Sequence, residues 1–165
     1  MKASLIVVGA VLLLVVGYAI GSVAGGFGVG RAEADPASLT DLEREFTERM
    51  QNVALEGFFT IEGRERRDGN PELYEIESVT KLEGDEGLWR FDARIAYGSV
   101  DATLPVVVPI VWAGDTPMVS ITDFEIPGLG DEFGARVVFY DERYAGTWDH
   151  GQYGGLMYGI IRSMD

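Results

Sequence analysis

The chain lacks cysteine altogether and carries a single histidine, His150, in 165 residues. Without thiols there is no disulfide framework, no thiolate nucleophile and no zinc–thiolate centre. One imidazole cannot build a multi-histidine metal site within one chain. Positive charge is also scarce: Lys and Arg number 13 against 27 Asp and Glu, a net charge of −14. Such a surface repels a phosphate backbone, which excludes nucleic acid as a partner. No Gly-x-Ser-x-Gly elbow is present, and no cofactor is expected. What the chain does have is an apolar content of 47%, with three Trp, seven Tyr and eight Phe, too much for a disordered polymer.

The apolar residues begin at once. Residues 3–30 carry no charge, with Lys2 before them and Arg31 after. Ala3 to Gly25 spans 23 residues, about 34 Å as a helix, enough to cross a hydrocarbon core of about 30 Å. The same stretch, with Ser22-Val23-Ala24 or Ala32-Glu33-Ala34 as a cleavage site, also reads as a signal peptide. Residues 1–30 are therefore a transmembrane anchor or a signal peptide. Either places the remainder outside the cytoplasmic membrane, as a single-pass membrane protein with its domain in the periplasm or beyond, or as a secreted one if the leader is cleaved. Gly17, Gly21 and Gly25 recur every four residues, a smooth stripe on which another membrane helix, or a second copy, could pack.

Residues 31–37, broken by Pro36, read as a linker, and residues 38–165 as the extracytoplasmic domain. Thr40 followed by Glu43 forms a capping-box pattern. Leu42, Phe46, Met50 and Val53 then share one helical face, with acids opposite, and the helix is expected to end near Gly57.

From Leu55 the period changes to two. In Tyr74 to Leu82 the even positions Tyr74, Ile76, Ser78, Thr80 and Leu82 form one face. In Leu88 to Tyr97 the odd positions Trp89, Phe91, Ala93, Ile95 and Tyr97 do so. Further runs cover Val100–Trp112, Met118–Glu125, Phe133–Tyr140, Tyr144–Trp148 and Leu156–Ile161. Pro105 and Pro109 mark Val100–Trp112 as an edge, bulged or bent strand. With Leu55–Glu62 the count is about eight strands. No helical pattern lies between them, so neighbours pair antiparallel. The expected fold is mainly β: an antiparallel meander closing into a small lipocalin-like barrel, or a strongly curled sheet, with the preceding amphipathic helix as a lid. Its inner face collects Trp89, Phe91, Tyr97, Trp112, Phe124, Phe139, Trp148 and Tyr158. These rings either fill a core or, as Trp89, Phe91, Tyr97, Trp112, Phe124, Trp148 and Tyr158, line a cavity for an apolar small molecule.

Two segments carry a resemblance. Trp112-Ala113-Gly114-Asp115-Thr116-Pro117 and Tyr144-Ala145-Gly146-Thr147-Trp148, with Gly154-Gly155, resemble patterns in exported bacterial proteins of unknown function, a likeness that implies no activity. Gly146-Thr147-Trp148 is also similar to the Gly-x-Trp signature of lipocalins, although there it sits on the first strand.

Catalytic constellations are thin. His150 lies beside Asp149, but neighbours on a strand point to opposite faces. Asp115, Asp123, Glu125, Asp131 and Glu132 would suit calcium if their turns met. Glu75/Glu77 and Asp123/Glu125 sit two apart, as rows of acids on a wet face also do. The function expected is a membrane-tethered, extracytoplasmic, non-enzymatic module, an accessory or interaction subunit of a membrane or envelope complex, with a protein partner or self-association. The alternatives are a lipocalin-like carrier of an apolar small molecule and a hydrolase using His150.

Overall fold

The structure is a computed structural model that describes residues 31–63, 69–84, 87–97, 100–126 and 130–165. The leader, with Gly17, Gly21 and Gly25, lies outside the described residues. No helix among those described is long and apolar enough to cross a membrane.

One α-helix, α1 (Asp41–Arg49), precedes eight strands: β1 (Val53–Phe59), β2 (Asn70–Lys81), β3 (Leu88–Tyr97), β4 (Val100–Ala113), β5 (Thr116–Ile126), β6 (Gly130–Tyr140), β7 (Arg143–His150) and β8 (Tyr153–Ser163). Each strand pairs antiparallel with the next, and β1 pairs with β8 from Val53↔Ser163 to Phe59↔Met157. That last ladder closes the barrel and decides against an open curled sheet. Closure pairs both β1 and β8 on each side, so neither terminal strand is a free edge. The chain makes three of its hairpins in two residues, and Gly114, Asp141 and Gly151 adopt positive φ of 68°, 53° and 56° there. Such turns match the right-handed twist of the flanking strands. The described β4–β5 ladder covers only Ile110–Ala113, so Pro105 and Pro109 fall where β4 pairs with β3 alone.

The capping box forms as the sequence predicts. Thr40 Oγ1 accepts from the Glu43 amide at 3.3 Å, and the Glu43 carboxylate accepts from the Thr40 amide at 2.9 Å. The helix, however, ends at Arg49 rather than near Gly57. Met50 caps it, Asn52 turns left-handed at φ 49°, and Val53 begins β1. An asparagine takes that conformation at little cost, and the β1 ladder outcompetes further helix. The buried side of α1 inserts into one end of the barrel as a plug. Phe46 is 1% exposed and Met50 fully buried. The Phe46 ring meets Trp89, Phe91, Trp112 and Phe139 at centroid distances of 5.5, 6.5, 6.1 and 5.8 Å. Mostly edge-on packing of this kind suits the ring quadrupoles. The Lys81 ammonium, at the end of β2, reaches the Glu43 carboxylate at 2.6 Å and ties plug to wall.

Two sequence expectations change, and residues 32–34 prove to be hydrogen-bonded to the barrel. The even face of β2 does not continue past Ile76. A bulge between Ile76 and Ser78 reverses the parity, so Val79 is fully buried while the Ser78 hydroxyl turns to Asp92 at 2.8 Å. One inserted residue is enough to exchange faces. Tyr158 faces outward at 44% exposure, because β8 turns Gly155, Met157, Gly159 and Ile161 inward. The linker is not free: the Ala34 amide donates to Lys81 O at 3.0 Å and the Glu83 amide to Ala32 O at 2.9 Å, pinning residues 32–34 beside the plugged end.

Candidate functional site

The strands run so that α1 and the connections 82–87, 114–115 and 141–142 gather at one end of the barrel. The other ends of the strands, at Phe59, Asn70, Tyr97, Val100, Ile126, Gly130, His150 and Tyr153, mark the opposite end of the barrel, the mouth. Of the seven aromatics expected to line a cavity, Trp89 and Phe91 are buried against Phe46, and Trp112 packs there partly buried. These three fill the plugged end. Trp148 is buried nearer the mouth. Its indole Nε1–H donates to Thr60 O at 3.2 Å, and its ring meets Phe59 edge-on at 6.3 Å. Tyr158 is outside. Tyr97 and Phe124 lie on β3 and β5, paired with Val100 and Phe133; their side chains are outside the described set.

Sequence reasoning missed the chemically distinctive feature of the interior. Glu72, on β2 opposite Gly57, points inward with Tyr74. Its carboxylate accepts from the Tyr144 hydroxyl at 2.8 Å and from the Tyr74 hydroxyl at 3.1 Å. Tyr144 belongs to β7, separated from β2 by the two strands β8 and β1. It reaches across because the intervening inward positions are Gly159 and Gly57, paired with one another. A Cβ at Gly159 would lie 2.6 Å from Tyr144 Cε1 and would overlap Glu56 O; a Cβ at Gly57 would overlap the Tyr144 hydroxyl. The two glycines are the floor of a trough in which the phenol lies. The signal was present in the sequence: extending the even face of β2 back from Tyr74 puts a charged residue at an inward position, where an unpaired charge is costly.

Burial governs the electrostatics of this cluster. It pushes the Glu72 carboxyl above its ordinary range, while the hydroxyls of Tyr144 and Tyr74 pull it back without cancelling the rise. Both phenols are held protonated well beyond their usual range, first by burial and then by the Glu72 charge and hydrogen bond. Elsewhere Phe59, Ile61, Val106, Ile121 and Ala135 pack against the core without being fully buried. Glu72 is itself only half-buried. Glu72 stands two residues from the mouth end of β2.

The other candidates disperse. The His150 ring stacks on Phe133 at 3.9 Å, and Asp149 packs over Gly134 on the opposite face of its strand. Asp115 sits in the β4–β5 turn at the plugged end, whereas Asp123 lies toward the mouth end of β5, so the proposed calcium set does not assemble. No cluster with metal-ligand geometry occurs among the described residues. Glu75 bonds Arg94 at 2.5 Å and Glu77 accepts from Thr103 at 2.7 Å, as a wet outer face would have it. Outside the barrel, Leu73, Phe58, Tyr158, Leu156 and Ile160 of β2, β1 and β8 form an exposed apolar stripe, with Phe58 and Tyr158 directly paired. No family model matches the chain, and no match was found among curated proteins or solved structures.

Proposed function

We propose that this chain is a non-enzymatic binding barrel that admits a small, largely apolar molecule through the mouth opposite α1. Glu72, Tyr74 and Tyr144 provide the polar anchor. The reading is carried by one observation: an inward carboxylate, bonded to two phenols, is only half-buried in a barrel whose Phe59, Ile121 and Ala135 are also only partly covered. Apolar surroundings with a few convergent polar groups are where small molecules bind. Residues 1–30 act as a membrane tether on the extracytoplasmic side. The pinning of residues 32–34 favours an arrangement with the plugged end nearest the bilayer and the mouth facing away. The test is saturable binding of an apolar fluorescent probe to the full chain. Ala135→Phe, which adds a ring to the inner wall, is expected to abolish binding while the barrel stays folded. Absence of saturable binding by any apolar probe overturns the proposal.

A second reading, an accessory subunit of a membrane complex, is favoured by the outer stripe of Leu73, Phe58, Tyr158, Leu156 and Ile160. Contiguous exposed apolar surface of this kind marks association sites. Under this reading, Phe58→Ser with Tyr158→Ser releases partners or second copies that cross-link to the native chain. Unchanged cross-linking counts against it.

A further inference from the structure

We propose that the group recognised at Glu72 is a cation, an alkylammonium carried on an apolar or aromatic body; this rests on the binding-barrel reading. The argument begins with hydrogen-bonding capacity. An ionised carboxylate offers about four acceptor positions and no donor. The Tyr144 and Tyr74 hydroxyls occupy two of them, at 2.8 and 3.1 Å. Each phenol spends its only proton on Glu72, so its oxygen is left to accept. The cluster therefore faces the interior as acceptors of hydrogen bonds, and its complement is a group rich in donors. An ammonium brings up to three N–H.

Charge points the same way. The two groups bonded to Glu72 are neutral, and burial keeps them so. Among the described residues, no ion pair includes Glu72. Lys81, the lysine of β2, is bound to Glu43 at the plugged end. A half-buried carboxylate with no counter-ion among the described residues gains more from an incoming cation than a fully solvated one does. An incoming carboxylate would meet repulsion. One rung toward the mouth, Phe59 sits opposite Asn70 with the Trp148 ring at 6.3 Å. Aromatic faces beside an anionic anchor are the surroundings in which organic cations bind. The glycine trough adds preorganisation, because Gly57 and Gly159 hold Tyr144 against the carboxylate before any ligand arrives.

The experiment uses three isosteric probes, 4-phenylbutylamine, 4-phenylbutanol and 4-phenylbutanoate, titrated calorimetrically into the full chain. Salt of about 0.5 M screens the acidic surface. The amine is expected to bind about tenfold more tightly than the alcohol, the difference between charged and neutral hydrogen bonds, and the acid most weakly. Glu72→Gln is expected to lower the affinity for the amine about tenfold and that for the alcohol by less, so that the two become equal. Tyr144→Phe, which keeps the carboxylate, preserves the preference for amine; it carries the test together with the native ranking if Glu72→Gln does not fold. Equal binding of the three probes overturns the cation proposal and leaves the binding barrel standing. Binding by none overturns both. An amine preference that survives in folded Glu72→Gln assigns it to the acidic surface and overturns the proposal.

Discussion

Replacing Phe46 by alanine tests the plug directly. The ring is 1% exposed and surrounded by Trp89, Phe91, Trp112 and Phe139 at 5.5 to 6.5 Å. Four rings mounted on three different strands cannot collapse into the space left behind, because the ladders fix their backbones. Phe→Ala in such a setting costs about 3–5 kcal/mol, and the rigidity of this one points to about 4 kcal/mol. The nine residues of α1 are too few to remain helical alone in water, so the helix depends on its buried face. Losing Phe46 leaves Met50 and the Lys81–Glu43 pair to hold it. With a urea m-value of about 2 kcal/mol/M, the unfolding midpoint falls by roughly 2 M. The emission of Trp89 and Trp112 moves to the red as water enters the plugged end. Phe46→Leu recovers more than half of the loss. A loss under about 1 kcal/mol, with unshifted emission, refutes the role given to this ring.

Gly159→Ala is expected to destabilise the barrel by about 2–4 kcal/mol in thermal or urea unfolding, since its Cβ meets Glu56 O and the Tyr144 ring; a change within about 0.5 kcal/mol contradicts the trough. Tyr144→Phe removes one donor from the half-buried Glu72 carboxylate and costs about 1 kcal/mol. The pH dependence of stability splits in two. Glu72 is raised above 4.5 in the fold, so its contribution is present below the unfolded pKa and is lost as pH rises through the folded one; Glu72→Gln removes that decline. Glu43 behaves oppositely. Burial alone would raise its carboxyl, but Lys81 and the Thr40 cap together hold it lower. Its contribution is present above 4.5 and disappears as pH falls through the folded value, a loss that Glu43→Gln abolishes in acid unfolding curves.

Period-two alternation, Gly- and Asp-led turns and the Thr40–Glu43 capping box are local properties. They were enough to identify one helix, eight antiparallel strands and most of the inward rings. Three features depended on contacts between distant residues. The Ile76/Ser78 bulge exchanged the faces of β2, because a one-residue insertion is stabilised by what lies on either side of the sheet rather than by the strand itself. Closure through the β1–β8 ladder joined Val53 to Ser163, which no local pattern distinguishes from a curled sheet. The site came last. Glu72 and Tyr144 stand 72 positions apart in sequence and meet only because closure lays two glycines between them. A carboxylate on a strand reads as surface until the barrel decides which way the strand is turned.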